Sequence, residues 1–343
     1  MGTERMKSMS KAPELLDRND RIAPYLKEVA SSFLFDAFSE DYLRREGLDF
    51  MIGVPIPLNK EDLAAFAEGG LPVVRLADNM ALLCGADPQF PSAGSYLRFL
   101  ARFFDEKLAD VLADMGGRHL RDADYARSAA YFRSALLLES SHQKALFGYA
   151  CACREWYLSL EGEEDHARTQ ALKDESTEFF EWCQTLYPDF GAAYYFLGYA
   201  YLNLGLYTKA KLTWERFLAL ASDGEEKQEI EERLTQLKDP VRIEEGINLL
   251  LGGKLREGLA ILEPYVQSDY RNWWPLHYYL ASAYRALNYL DEALEGFHKV
   301  LELSPSHIDS IRQLSELYAQ KNDSEKAEKY RRKAELLEID RED

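Results

Sequence analysis

The chain has 343 residues, 47% of them hydrophobic, and its 41 Lys plus Arg against 59 Asp plus Glu leave a formal net charge of −18. That apolar content excludes a disordered acidic tail, and the length allows more than one globular unit. The charge argues against duplex nucleic acid and anionic lipid, both of which attract clustered Lys and Arg. Cys84, Cys151, Cys153 and Cys183 are too few for a disulfide framework, which fits a reducing cytoplasm. No apolar run near the amino terminus forms a signal segment, Met6 stands where a myristoylated Gly2 would need Ser or Thr, and no stretch reaches 18 apolar residues. A cytoplasmic protein off the membrane is expected.

In chain order, residues 1–21 read as a flexible segment. Leu26, Val29, Ala30, Phe33, Leu34, Ala37 and Phe38 form an i, i+3, i+4 stripe that predicts a helix within 22–46. After Gly47 the pattern shifts, and LDFMIGVPIPL, PVVRLA and MALLCGA read as short strands, the last two joined by a tight turn at Asp78 and Asn79. Pro55 and Pro57 confine the first to a sheet edge. A short helix is expected over 60–68, and another from Ser95 to about Met115, carrying Leu97, Leu100, Phe103, Phe104, Leu108 and Leu112. Residues 22–108 thus read as a small α+β cap, whose strand edge offers a route to homo-oligomers.

From 109 onward a period of 34 residues governs the chain. HYYLASAYRALNYLDEALEGFHKVLELSP, from His277 to Pro305, and AAYYFLGYAYLNLGLYTKAKLTWERFLAL, from Ala192 to Leu220, place small and aromatic residues at identical spacing. Units fall at 109–142, 143–190 (enlarged by 14 residues), 191–224, 239–272, 274–307 and 308–341, with an extra helix over 225–238. The eighth column is Gly116, Ala150, Gly198, Gly246, Ala281 and Ser315; the twentieth is Ser128, Ser176, Ala210, Gly258, Ala293 and Ala327. Small residues in both columns predict two antiparallel helices per unit that cross closely there. Phe132, Phe180, Trp214, Leu262 and Phe297 follow the second column by four residues and lie on the same helical face. Glu161, Glu163, Glu164 and Asp165 in the enlarged unit read as a solvated acidic turn.

These residues make 109–341 similar to the tetratricopeptide repeat (TPR) family. The resemblance implies a right-handed α-solenoid of about six helix hairpins, the first helix of each lining a concave groove that binds another protein or peptide. Carried onto this chain, the groove positions are Phe147, Cys151 and Arg154; Tyr195, Tyr199, Leu202 and Asn203; and Tyr278, Ser282 and Arg285. The same tyrosines fit equally well as packing between neighbouring units. The Lys, Arg and Asn clamp that some family members close on a peptide carboxylate has Phe147, Cys151, Tyr195 and Tyr199 in its place.

Chemistry-bearing motifs are few. The glycine pairs lack the spacing of a phosphate loop, and there is no Gly-x-Ser-x-Gly elbow. Cys151 and Cys153 are two apart on a predicted helix and diverge. His119, His142, His166, His277, His298 and His307 have neither metal-ligand nor triad spacing. No cofactor or metal is called. The sequence points first to a non-catalytic scaffold, adaptor or chaperone-like protein holding a partner's peptide segment. Second comes a peptide-sensing regulator; residues 1–108 carry 13 basic and 17 acidic residues, unlike a DNA-binding head. An enzyme with its site in the cap near Asp78 and Asn79 is third.

Overall fold

A computed structural model describes residues 20–104, 107–160, 162 and 165–342. The chain forms two compact bodies that divide after Lys227. The first contains α1 (Ala23–Ser31), β1 (Leu34–Asp36), α2 (Glu40–Arg45), a 3₁₀ turn at Asp49–Met51, β2 (Ile56–Leu58), α3 (Leu63–Ala67), α4 (Val73–Ala86) and α5 (Ala93–Phe103). Three hairpins follow: α6 (Leu108–Arg121) with α7 (Tyr125–Leu138), α8 (Gln143–Ser159) with α9 (His166–Leu186), and α10 (Gly191–Asn203) with α11 (Tyr207–Leu220). The division falls inside α12 (Glu225–Gln236). The second body has three more: α13 (Lys238–Leu251) with α14 (Leu255–Leu262), α15 (Trp274–Ala286) with α16 (Leu290–Leu303), and α17 (Ile308–Gln320) with α18 (Ser324–Glu342). The chain is a mostly α repeat of helical hairpins, as expected.

Small residues set the crossing within each hairpin. A Cβ on Gly198 would lie 2.1 Å from the Trp214 indole nitrogen, and one on Gly246 2.7 Å from Leu262. Where the column holds serine, the hydroxyl joins the crossing. Ser128 Oγ donates to the Gly116 carbonyl at 2.9 Å, Ser176 to Ala150 at 2.9 Å, and Ser315 to Ala327 at 2.8 Å. The bulky column is buried throughout, with Trp214, Phe180, Leu262 and Phe297 fully covered and Phe132 2% exposed.

In five of the six hairpins the turn has a left-handed residue two positions past the first helix: Ala123, Gly205, Gly253, Asn288 and Asn322 all have positive φ. Gly and Asn tolerate that backbone, whereas alanine's Cβ meets its own carbonyl there. Ala123→Gly is therefore expected to raise stability by about 0.5–1 kcal/mol, read from a shift of the urea midpoint.

The first hundred residues depart from the sequence reading in several places. Residues 73–86 form a single helix, not two strands and a turn. Ten of the 14 residues of α4 are buried, so it shows no polar face by which a helical period could be recognised. Asp78 and Asn79 lie in mid-helix. Asp78 accepts from the Tyr131 hydroxyl at 2.8 Å; Asn79 Nδ2 donates to the Pro57 carbonyl at 3.1 Å and to Asp62 at 2.9 Å. The expected helix within 22–46 is broken after Ser31. Ser32 Oγ donates to the Val29 carbonyl at 2.7 Å, and Ser39 caps α2. Between them β1 pairs antiparallel with β2, Leu34 opposite Leu58 and Phe35 opposite Pro57. The stripe over 95–115 is divided between α5 and α6. Among the described residues, this two-stranded ribbon is the only sheet of the cap.

The reading of 1–21 as flexible concerns residues 1–19, outside the described residues, but fails at Asp20 and Arg21. Both bind far along the chain, Asp20 to Arg133 and Arg21 to Glu178. In the enlarged unit, Glu161, Glu163 and Glu164 lie outside the described residues. Asp165 caps α9 by accepting from the Arg168 N–H at 3.0 Å, and α8 and α9 run to 17 and 21 residues. The stretch over 225–238 contributes α12, anchored by the fully buried Ile230.

Candidate functional site

In the first body, α8 and α10 carry a continuous wall of rings. The Phe147 ring meets Phe190 edge-on at 5.0 Å and lies 5.8 Å from Phe196, which stacks on Phe180 at 5.7 Å. Tyr195 continues the row, 5.1 Å from Phe196 and 5.3 Å from Tyr199, and Tyr199 packs 4.9 Å from Trp214. Trp214 is fixed because its indole N–H donates to the Tyr195 carbonyl at 3.0 Å. Phe147, Tyr195, Phe196 and Tyr199 are all half-buried. Each is held by neighbours and keeps part of its surface in water, so little side-chain freedom is left to lose on binding.

One charged group stands in this row. The Arg154 guanidinium lies 5.1 Å over the Phe196 ring and pairs with Glu155. Cys151 lies in the same row, half-buried, and burial pushes its thiol up to about 12. Burial does the same to Cys84, to about 12. The thiolate is the reactive form, so neither should react with iodoacetamide at pH 8 over the hour that suffices for an exposed thiol. Mass spectrometry of alkylated peptides, with and without urea, checks this.

Of the positions expected from sequence, Phe147, Arg154, Tyr195 and Tyr199 come together in one cluster. Leu202 is half-buried and Asn203 exposed at the end of α10. Phe196 was missed, although it connects Phe147, Arg154 and Tyr195. The only hint was the run Tyr194, Tyr195, Phe196, in which a repeat frame selects one ring for the groove.

The other three positions lie in the second body. Tyr278 packs 5.9 Å from Phe297 and 5.0 Å from His307. Ser282 Oγ donates back to the Tyr278 carbonyl at 2.8 Å, so its hydroxyl is engaged within the helix. Arg285 reaches across to α17, donating to Gln313 and to Glu316 at 2.6 Å. Among the described residues, no three His, Cys, Asp or Glu converge to hold a metal, and no helix is long and apolar enough to cross a membrane.

Comparison with known proteins follows the hairpins. Residues 274–307 and 191–223 each match a family model described as tetratricopeptide repeat. Among solved structures, the chain is similar to the TPR domain of P58(IPK), at 17% identity over 68% of this chain and 61% of that one, with a TM-score of 0.38. It is similar to YrrB, described as a TPR protein with an unusual peptide-binding site, at 20% identity over 61% and 93%, TM-score 0.30. A tetratricopeptide repeat protein from Parabacteroides merdae aligns at 15% identity over 81% and 91%, TM-score 0.31. No curated protein sequence matches the chain. Two repeats matched directly, each on one of six helical hairpins, show that this chain carries tetratricopeptide repeats.

Proposed function

We propose that this repeat scaffold for protein–protein contact holds a peptide segment of another protein against the ring wall of α8 and α10. The observation that carries the reading is the half-buried row Phe147, Phe196, Tyr195 and Tyr199, preorganised by packing yet open to solvent. Rigid aromatic side chains of this kind dominate binding energy at protein interfaces. A non-catalytic role is supported by Asp78 and Asn79. The first is occupied by Tyr131 and ties α4 to α7, and the second is occupied by Pro57 and Asp62 within the cap. Cys84, Cys151, Cys153 and Cys183 are thiols outside any disulfide, which supports the reading of a cytoplasmic protein.

The test replaces Tyr195 and Tyr199 together by Ala and measures capture of partner proteins from the native cell. Loss of capture with unchanged far-ultraviolet circular dichroism is expected, because truncating central aromatic anchors typically costs about 2 kcal/mol or more each. Undiminished capture would remove the wall from the binding reaction.

A further inference from the structure

The first body has a second surface, independent of the ring wall. In the third column of the repeat, Ala145, Ala193, Leu276 and Ser310 are fully buried, whereas Val111 in the first unit is 51% exposed. The four buried residues sit on first helices against which the second helix of the preceding hairpin packs: α7 on α8, α9 on α10, α14 on α15 and α16 on α17. Val241, in the unit that follows α12, is half-buried. Among the described residues, no helix takes that place on α6, because α4 packs on α7 and α5 packs on α4. The face of α6 is apolar all the same. Leu108, Val111 and Met115 stand at i, i+3 and i+7, along one side of the helix. With Val74 and Ala77 of α4 and Phe104 just past α5, they line a cavity of about 570 Å³. Val74 is 68% exposed.

The same chain shows what covers such a face. On α16, Leu294, Phe297 and Leu301 repeat the i, i+3, i+7 spacing and pack in one cluster with Leu314 and Leu317 of α17. The polar groups at the end of the cavity are already engaged. Arg75 donates to Asp62 at 3.0 Å, and Asp78 accepts from Tyr131 at 2.8 Å. An extended segment laid here would bury backbone N–H and C=O groups without partners, whereas a helix satisfies its own. We infer that the seat between α4 and α6 takes an amphipathic helix of a partner protein, with bulky apolar residues at i, i+3 and i+7, which extends the stack by one helix. A helix laid in an apolar groove is a recurrent mode of recognition, and an exposed apolar patch rimmed by polar groups marks such a site.

The experiment uses the full chain and a fluorescein-labelled peptide of residues 290–303, the α16 sequence, held helical by a hydrocarbon staple on its polar face. Fluorescence anisotropy should show this peptide binding at least tenfold more tightly than its Leu294→Ser, Phe297→Ser, Leu301→Ser version. In the chain, Val111→Glu and Val74→Glu should each weaken binding at least fivefold. Leu212→Glu, the same kind of change at a 59% exposed position on α11, should leave it unchanged, as should Tyr195→Ala with Tyr199→Ala. If the tyrosine pair abolishes binding, the peptide occupies the ring wall and the seat is overturned. The seat is equally overturned if neither Val111→Glu nor Val74→Glu weakens binding, if the serine version binds as well, or if the peptide does not bind. Sedimentation of the chain alone should show a monomer; a dimer that Val111→Glu dissociates would make a second copy the occupant and overturn the partner helix. Val111 and Val74 are both solvent-exposed, so the variants keep the fold, which far-ultraviolet circular dichroism checks.

Discussion

Asp20→Asn is expected to destabilise the first body by about 3–5 kcal/mol, the usual cost of stranding one member of a buried ion pair. Arg133 points inward from α7 with its side chain 1% exposed, and its two terminal nitrogens face the two oxygens of Asp20, whose side chain is 16% exposed. Its third nitrogen, Nε, has no partner. Glu175, 2% exposed, shares the neighbourhood, but it accepts from the Tyr149 hydroxyl at 2.8 Å and lies 3.6 Å from Arg21. Without the Asp20 carboxylate the guanidinium would keep its desolvation cost and lose its counter-charge. An Asp20→Asn, Arg133→Met double variant should recover most of the loss, since an apolar side chain of similar reach needs no partner. Urea denaturation of the two singles and the double gives the coupling directly. A loss under about 1 kcal/mol for Asp20→Asn would mean that this stretch is not docked on α7.

Gly85→Ala is expected to cost about 3 kcal/mol, the upper end for overpacking by one methyl group. A Cβ there would lie 1.8 Å from the Ala130 carbonyl oxygen and 2.6 Å from Ser134 Oγ. The obstacle is backbone, so α4 must move off α7 as a unit. That movement also separates Ser134 Oγ from the Ala81 carbonyl, to which it donates. Gly198→Ala is the informative comparison. Its Cβ meets the Trp214 ring, a side chain and not backbone but one that is fully buried and held by its hydrogen bond to the Tyr195 carbonyl, so the expected loss is only somewhat smaller, about 2 kcal/mol. If Gly85→Ala proves the milder change, the α4 and α7 axes are farther apart than described.

These two sites show which parts of the structure could be inferred from sequence. The repeat was legible because a hairpin crossing imposes a local demand at a fixed interval: Gly198, Ala210, Ala281 and Ala293 are small for the same steric reason, and each is buried as that reason requires. The cap follows no such interval. α4 is covered on nearly every side and resembles a pair of strands, whereas the polar residues that seemed to form its turn serve long-range contacts to Tyr131, Pro57 and Asp62. Asp20 and Arg133 are 113 positions apart, and no local pattern links them. Gly85 belongs to the same class, being small because of a helix 45 residues away. At the candidate site, the frame identified Tyr195 and Tyr199 but passed over Phe196, whose importance comes from Phe147 and Arg154 on another helix.

The most direct test of partner binding on the ring wall is deuterium exchange of the full chain with and without a bound peptide, read by mass spectrometry. A peptide selected from a random 12-residue library on the immobilised protein provides the ligand. Binding as proposed would slow exchange in α8 and α10, residues 143–159 and 191–203, and the Tyr195→Ala, Tyr199→Ala variant would lose that protection. Protection confined to other helices, or unaltered in the variant, would contradict it.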